Sequence, residues 1–140
     1  MPSEKLQGGC LCGAVRYEVS GDPILVAQCH CTDCRKAASS AHVEFAAFPK
    51  EAVRITGVLK TFSTKADSGM MSNRSFCPEC GSWISGMPES MPHVAAVTLA
   101  TLDNPEALAP QMRFYDKRRL NWDTVDPALP AFETLPPMPG

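Results

Sequence analysis

Cys77-Pro78-Glu79-Cys80-Gly81 is the stretch on which the fold turns. Two cysteines three residues apart, with a glycine behind them, make a tight turn whose backbone N–H groups face the sulfurs. Gly81 tolerates the positive φ that such a turn needs. A knuckle of this kind supplies two thiolates, whereas a closed tetrahedral zinc site takes four, at about 2.3 Å each. Far upstream, Cys10-Leu11-Cys12-Gly13 offers a second pair. Read as extended chain, Cys10 and Cys12 point to the same side. Cys10, Cys12, Cys77 and Cys80 are therefore expected to hold a structural zinc that clamps the N-terminal strand to a hairpin near residue 80. The bland alternative is a set of buried free thiols. Two tight pairs, each beside a glycine, are not spaced like stray core cysteines.

The third group, Cys29-His30-Cys31-Thr32-Asp33-Cys34, gives three thiolates and no more. Three protein ligands with an exchangeable fourth position characterise a catalytic zinc, while structural sites are filled. The reading is thus two zincs per chain, with Cys29, Cys31 and Cys34 as ligands of the open one. His42 or Asp33 could return to fill the fourth position. His30, between two ligands in an extended stretch, should point away from them and pack or meet solvent. An iron–sulfur cluster fits less well, because clusters usually take four cysteines. The H-x-E companion of thiolate-rich zinc deaminases is missing. Three thiolates leave zinc a weak Lewis acid but a good binder of an incoming thiol, whose proton it displaces. The pattern points to sulfur chemistry.

Outside these groups the chain is ordinary. Its 140 residues suit one domain spanning 1–140. A hydrophobic fraction of 44% with 20% charged residues is globular. A formal net charge of −2 gives no basic surface for tracking phosphates, so no nucleic acid is expected. No apolar run approaches the ~20 residues that span a bilayer. No apolar h-region follows Met1-Pro2-Ser3-Glu4-Lys5, so no secretion signal is expected. Neither a membrane nor export being indicated, the expected location is the cytoplasm, where thiols stay reduced. The odd cysteine count also argues against a closed disulfide set. Lys117-Arg118-Arg119 reads as a solvated strand end.

The body reads as mostly antiparallel β with one or two short helices; thirteen prolines and nine glycines fit that class. Val15, Tyr17 and Val19 alternate with polar residues in a strand from Cys10 to Val19. A helix is expected over Thr32 to Ala41, with Thr32 as cap and Cys34 in its first turn. Val43 and Phe45 share one strand face. Ser72 to Phe76 and Ser82 to Ser85 form hairpin arms around the knuckle. Val94 to Leu102 is apolar on both faces, as a central strand is. Met112 to Asp116 is a last strand, and a short helix or turn follows near Trp122. From about Pro127 the chain is an irregular proline-rich tail, its final residues expected to be mobile.

Three ordered segments carry a resemblance: Gly8-Gly9-Cys10-Leu11-Cys12-Gly13-Ala14-Val15-Arg16-Tyr17, Cys29-His30-Cys31-Thr32-Asp33-Cys34-Arg35-Lys36 and Arg74-Ser75-Phe76-Cys77-Pro78-Glu79-Cys80-Gly81. The chain resembles the glutathione-dependent formaldehyde-activating enzyme (GFA) or centromere protein V family. The likeness continues through Leu102-Asp103-Asn104-Pro105, Trp122 and Leu129-Pro130-Ala131-Phe132-Glu133. It implies an Mss4-like fold of β-sheets pinned by zinc, with the same four-plus-three partition of cysteines. It also implies carbon–sulfur lyase chemistry: condensation of glutathione with formaldehyde to S-hydroxymethylglutathione, and the reverse. Two departures stand out. The family often has glycine where this chain has Ser39 and histidine where it has Arg113.

The expected partners are therefore a small-molecule thiol and an aldehyde, with glutathione as the possible thiol. His30, Asp33 and His42 are candidate proton donors by proximity in sequence. Arg35, Lys36 and Arg74 are candidates for glutathione's carboxylates, although each is more often a solvated surface charge. Phe76 and Trp83 read as core. The competing reading is a non-catalytic zinc-binding module for a thiol, a metal or another protein. The occupant of the fourth position at the second zinc distinguishes the two.

Overall fold

In the computed structural model, which describes residues 5–136, the chain is mainly β with one α-helix. The strands are β1 (Leu6–Gly9), β2 (Arg16–Val19), β3 (Leu25–Cys29), β4 (Val43–Pro49), β5 (Val53–Thr56), β6 (Lys60–Lys65), β7 (Met71–Phe76), β8 (Trp83–Pro88), β9 (Val94–Thr98) and β10 (Met112–Phe114); α1 (Thr32–Ala38) lies between β3 and β4. They form a three-stranded sheet, β1-β2-β5, and a seven-stranded sheet, β10-β3-β4-β9-β8-β7-β6. Every pairing is antiparallel except β10 on β3, which is parallel. Among the described residues no helix is long and apolar enough to cross a membrane.

Period-2 alternation decides which residues face which layer. Val15, Tyr17 and Val19 turn inward to join Val26, Ala46, Phe48, Ile84 and Val97 in one apolar cluster, which also includes Cys10 and Cys77. The opposite parity of β3 and β4 (Leu25, Ala27, Cys29, Val43, Ala47) joins Cys34, Val94 and Phe114 in a second cluster. Val94, Ala95 and Val97 are all buried, as a strand between β4 and β8 requires.

Several boundaries differ from the sequence reading for identifiable reasons. Of the expected strand from Cys10 to Val19 only Arg16–Val19 is strand; the cysteines lie in the turn between β1 and β2, closed by Gly13 N–H to Cys10 O at 3.2 Å. Cys10 and Cys12 therefore converge through a turn rather than by strand alternation. The helix ends at Ala38 rather than Ala41, because Ser39 takes a left-handed conformation (φ 52°, ψ 48°) and its N–H bonds Arg35 O. Cys31, not Thr32, is the cap: its sulfur accepts the Cys34 N–H at 3.2 Å. Lys117 and Arg118 follow the last strand in a 3₁₀ turn, Asp116–Arg118, instead of forming a strand end. The described part of the proline-rich tail is tied down. Arg113 N–H bonds Pro130 O, Phe132 N–H bonds Arg113 O, and Tyr115 N–H bonds Thr134 O. The final residues, 137–140, lie outside the described part, and so does the expectation placed on them.

Candidate metal centre

The first group is built by two glycine turns meeting end to end. Gly81 (φ 79°) and Gly13 (φ 82°) occupy left-handed positions that L side chains rarely adopt. The knuckle closes by Gly81 N–H to Cys77 O at 2.8 Å and Cys77 N–H to Ser82 O at 3.0 Å. The sulfurs of Cys10, Cys12, Cys77 and Cys80 all lie within 4.8 Å of one another. Cys10 Sγ is 3.6 Å from Cys12 Sγ, which is 3.8 Å from Cys77 Sγ. A tetrahedron with 2.3 Å metal–sulfur arms has edges of roughly 3.8 Å, so the donor set fits zinc in kind and in spacing. N–H groups already point at the sulfurs, with Val15 N–H reaching Cys10 Sγ at 3.2 Å. Hydrogen bonds from the Ser82 side chain and backbone hold the Cys80 thiol at about 5.

The second group, Cys29, Cys31 and Cys34, also has its sulfurs within 4.8 Å of one another. Cys29 ends β3, Cys31 caps α1, and Cys34 sits in the first helical turn. All seven cysteines are free thiols. Hydrogen bonds from the Cys29 and Cys34 thiols pull Cys31 down to about 2, and the Cys34 backbone N–H and the Arg74 charge assist. The same contacts with Cys31 and Cys34, together with burial, push Cys29 upward. Among the described residues no histidine or carboxylate joins these three sulfurs. His42, one expected fourth ligand, lies with His30 and Asp123 instead. Asp33, the other, lines the adjoining cavity without entering the sulfur group.

That cavity holds about 330 Å³ and receives all three cysteines of the second group. Its walls include Phe45, Trp83, Met87, Met91 and Phe114, and it is mostly apolar. Arg74 enters from β7. Its Nη2 bonds Cys34 Sγ at 3.7 Å, its Nη1 bonds Thr64 Oγ1 at 2.9 Å, and its guanidinium lies 5.5 Å from the centre of the Trp83 ring. Trp83 is therefore a cavity wall as well as core, unlike the sequence expectation. Of the three proposed cations only Arg74 reaches the cavity. Arg35 and Lys36 line a separate shallow hollow with Ser39, Ser40, Leu120 and Trp122.

Sequence reasoning missed Tyr115, Arg118 and Leu135, which also line the cavity. No local motif marks them. They arrive because β10 pairs beside β3, with Phe114 opposite Cys29, and because the tail pairs with β10. Strand alternation would carry Tyr115 to the other face. A left-handed backbone (φ 56°, ψ 42°) breaks that alternation. Burial, then the negative charge of Asp67 and of the neighbouring sulfur group, raise the Tyr115 phenol above its ordinary range. The other departure, Arg113, stays outside the cavity. It is buried on the far face and bonds Asp116 Oδ1 at 3.2 Å and Asp126 O at 2.6 Å.

The family described as glutathione-dependent formaldehyde-activating enzyme matches residues 5–118. No curated protein matches the chain. The crystal structure of a Rhodobacter sphaeroides protein superposes with a TM-score of 0.57 at 23% identity, covering 70% of this chain and 88% of that one. At that identity the likeness establishes the shared fold.

Proposed function

The chain belongs to the glutathione-dependent formaldehyde-activating enzyme family, and we propose that it is a zinc-dependent carbon–sulfur lyase joining a thiol such as glutathione to formaldehyde or a related small aldehyde. The observation that carries this reading is the three-thiolate group opening on a cavity with no fourth protein ligand among the described residues. Cys29, Cys31 and Cys34 would hold the active zinc; Cys10, Cys12, Cys77 and Cys80 would hold a structural one. When bound at the open site, zinc supplies a position at which an incoming thiol is held as thiolate.

The reaction adds a thiol across a carbonyl. A C–S bond forms, the C=O π pair moves to oxygen, and the thiol proton ends on that oxygen. The chain's own residues cover the remaining needs. Arg74 sets a fixed positive charge beside Cys34, where negative charge accumulates as the carbonyl oxygen develops. Tyr115 keeps its phenol protonated, gives that proton to the oxygen and is reprotonated by the one the thiol releases. Phe45, Trp83 and Phe114 exclude water that would compete for the aldehyde. Arg118, on the cavity wall and part-exposed, would meet a carboxylate of a glutathione-like thiol. A reducing compartment such as the cytoplasm belongs to this reading, because both sulfur groups work only as thiols.

The test is direct. The zinc-loaded protein is mixed with glutathione and formaldehyde, and adduct formation and breakdown are followed by exchange NMR. Acceleration over the uncatalysed exchange, abolished in Cys31→Ala with the fold retained, is the expected result. Intact zinc content without acceleration for any small thiol would favour the non-catalytic module.

A further inference from the structure

Behind the cavity, on the other face of β3, lies a third cluster that the lyase reading leaves unused. Strand alternation sends Cys29 and Cys31 to the cavity and Gln28 and His30 the opposite way. There His30, His42 and Asp123 bring their ligand atoms within 4.8 Å of one another. His42 Nδ1 is 2.9 Å from Asp123 Oδ2, and His30 Nδ1 is 3.4 Å from the same oxygen. The two rings are 4.9 Å apart. His30 is fully buried, and neither of its ring nitrogens has a hydrogen-bond partner.

We propose that His30, His42 and Asp123 form a metal site of their own, separate from both sulfur groups, taking a divalent first-row cation of the zinc, cobalt or nickel class. Three features carry it. Two imidazoles and one carboxylate are the donor set these cations prefer where thiolate is absent. A buried imidazole with neither nitrogen hydrogen-bonded is costly in an empty site, and a bound cation would give one of them a partner. The outer nitrogen of His42 is already held, since Nε2 lies 2.7 Å from Glu44 Oε2. A carboxylate on the far side of the ring is what fixes the tautomer and direction of a metal-binding histidine. His30 directly follows β3 and His42 directly precedes β4, whereas Asp123 comes from far along the chain. Filling the site would pin the irregular segment around residue 123 to the back of the strand that presents Cys29.

Cobalt distinguishes this site from the sulfur groups, because thiolate-bound Co²⁺ shows strong sulfur-to-metal charge transfer and nitrogen- or oxygen-bound Co²⁺ does not. The full chain is loaded with Co²⁺ under reducing conditions, desalted, and assayed for total cobalt and charge-transfer intensity. Wild type should hold about one equivalent more cobalt than its thiolate bands account for. Asp123→Asn should lose that equivalent with the bands unchanged, and His42→Gln should do the same. A wild-type count fully explained by the thiolate bands overturns the proposal without any variant. So does unchanged cobalt in a folded Asp123→Asn or His42→Gln.

Discussion

Arg74 Nη2 stands 3.7 Å from the sulfur of Cys34, although forty residues separate the two in sequence. The contact brings β7, far out on the seven-stranded sheet, to the helix that carries the sulfur group. Arg74→Ala should therefore reduce kcat/KM for adduct formation by about 10–100-fold, or roughly 1.4–2.8 kcal/mol. Arg74→Lys should recover only part, since a lysine keeps the charge but cannot fork between Cys34 and Thr64. Steady-state kinetics with circular dichroism as a fold control decide this.

Tyr115→Phe removes one oxygen atom from the cavity wall. If the phenol delivers the proton, kcat falls about 100-fold while KM for the thiol is unchanged. A fall in the thermal stability of Tyr115→Phe that accounts for its loss of activity would assign Tyr115 to packing alone.

The two sulfur groups should fail differently. Cys77→Ala breaks a closed four-thiolate site and should leave the chain unfolded, since a structural zinc contributes on the order of 10 kcal/mol. Cys31→Ala should lose about one zinc equivalent and remain folded. Metal analysis beside a thermal melt reads both.

Ser39 pays for its left-handed backbone at the end of α1. Ser39→Gly relieves that strain, and the stability gain should be about 0.5–1 kcal/mol. Activity should be unchanged, because Ser39 does not line the cavity. A urea titration measures the gain.

Arg16 forks onto Asp103, with Nη1 2.9 Å from Oδ1, and holds its carboxyl below the ordinary range. A depressed folded-state value means the contribution is complete above the unfolded value of about 3.9 and fades as pH falls through the folded one. The urea midpoints of wild type and Asp103→Asn should therefore differ near neutrality and converge in acid. Parallel curves would show that the pair contributes nothing.

Much of this could be read locally. Alternation in Val15, Tyr17 and Val19 and the spacing Cys77-x-x-Cys80 each depend on a few adjacent residues, and both were legible. What could not be read is set by long-range pairing. Tyr115 reaches the cavity only because β10 lies beside β3 and a left-handed residue then interrupts the alternation. Arg74 looked like surface charge because its partners, Thr64 and Cys34, meet it only through the β6–β7 hairpin and the helix. The Cys10 and Cys12 sulfurs do converge, but through a glycine turn and not along a strand: both geometries can direct two sulfurs to one side, and spacing alone does not tell them apart.

The pairing of residues 130–134 with β10 has a consequence during synthesis. Cys29, Cys31 and Cys34 leave the ribosome early, but the wall formed by Phe114, Tyr115, Arg118 and Leu135 is translated about 80 to 100 residues after Cys34. Through that interval the nascent chain presents three thiols whose cavity lacks one wall. Metal delivery to this group can thus precede closure, and a ribosome-bound chain halted before residue 112 should already bind the cation while lacking the wall that closes the chamber in which a thiol and an aldehyde would meet.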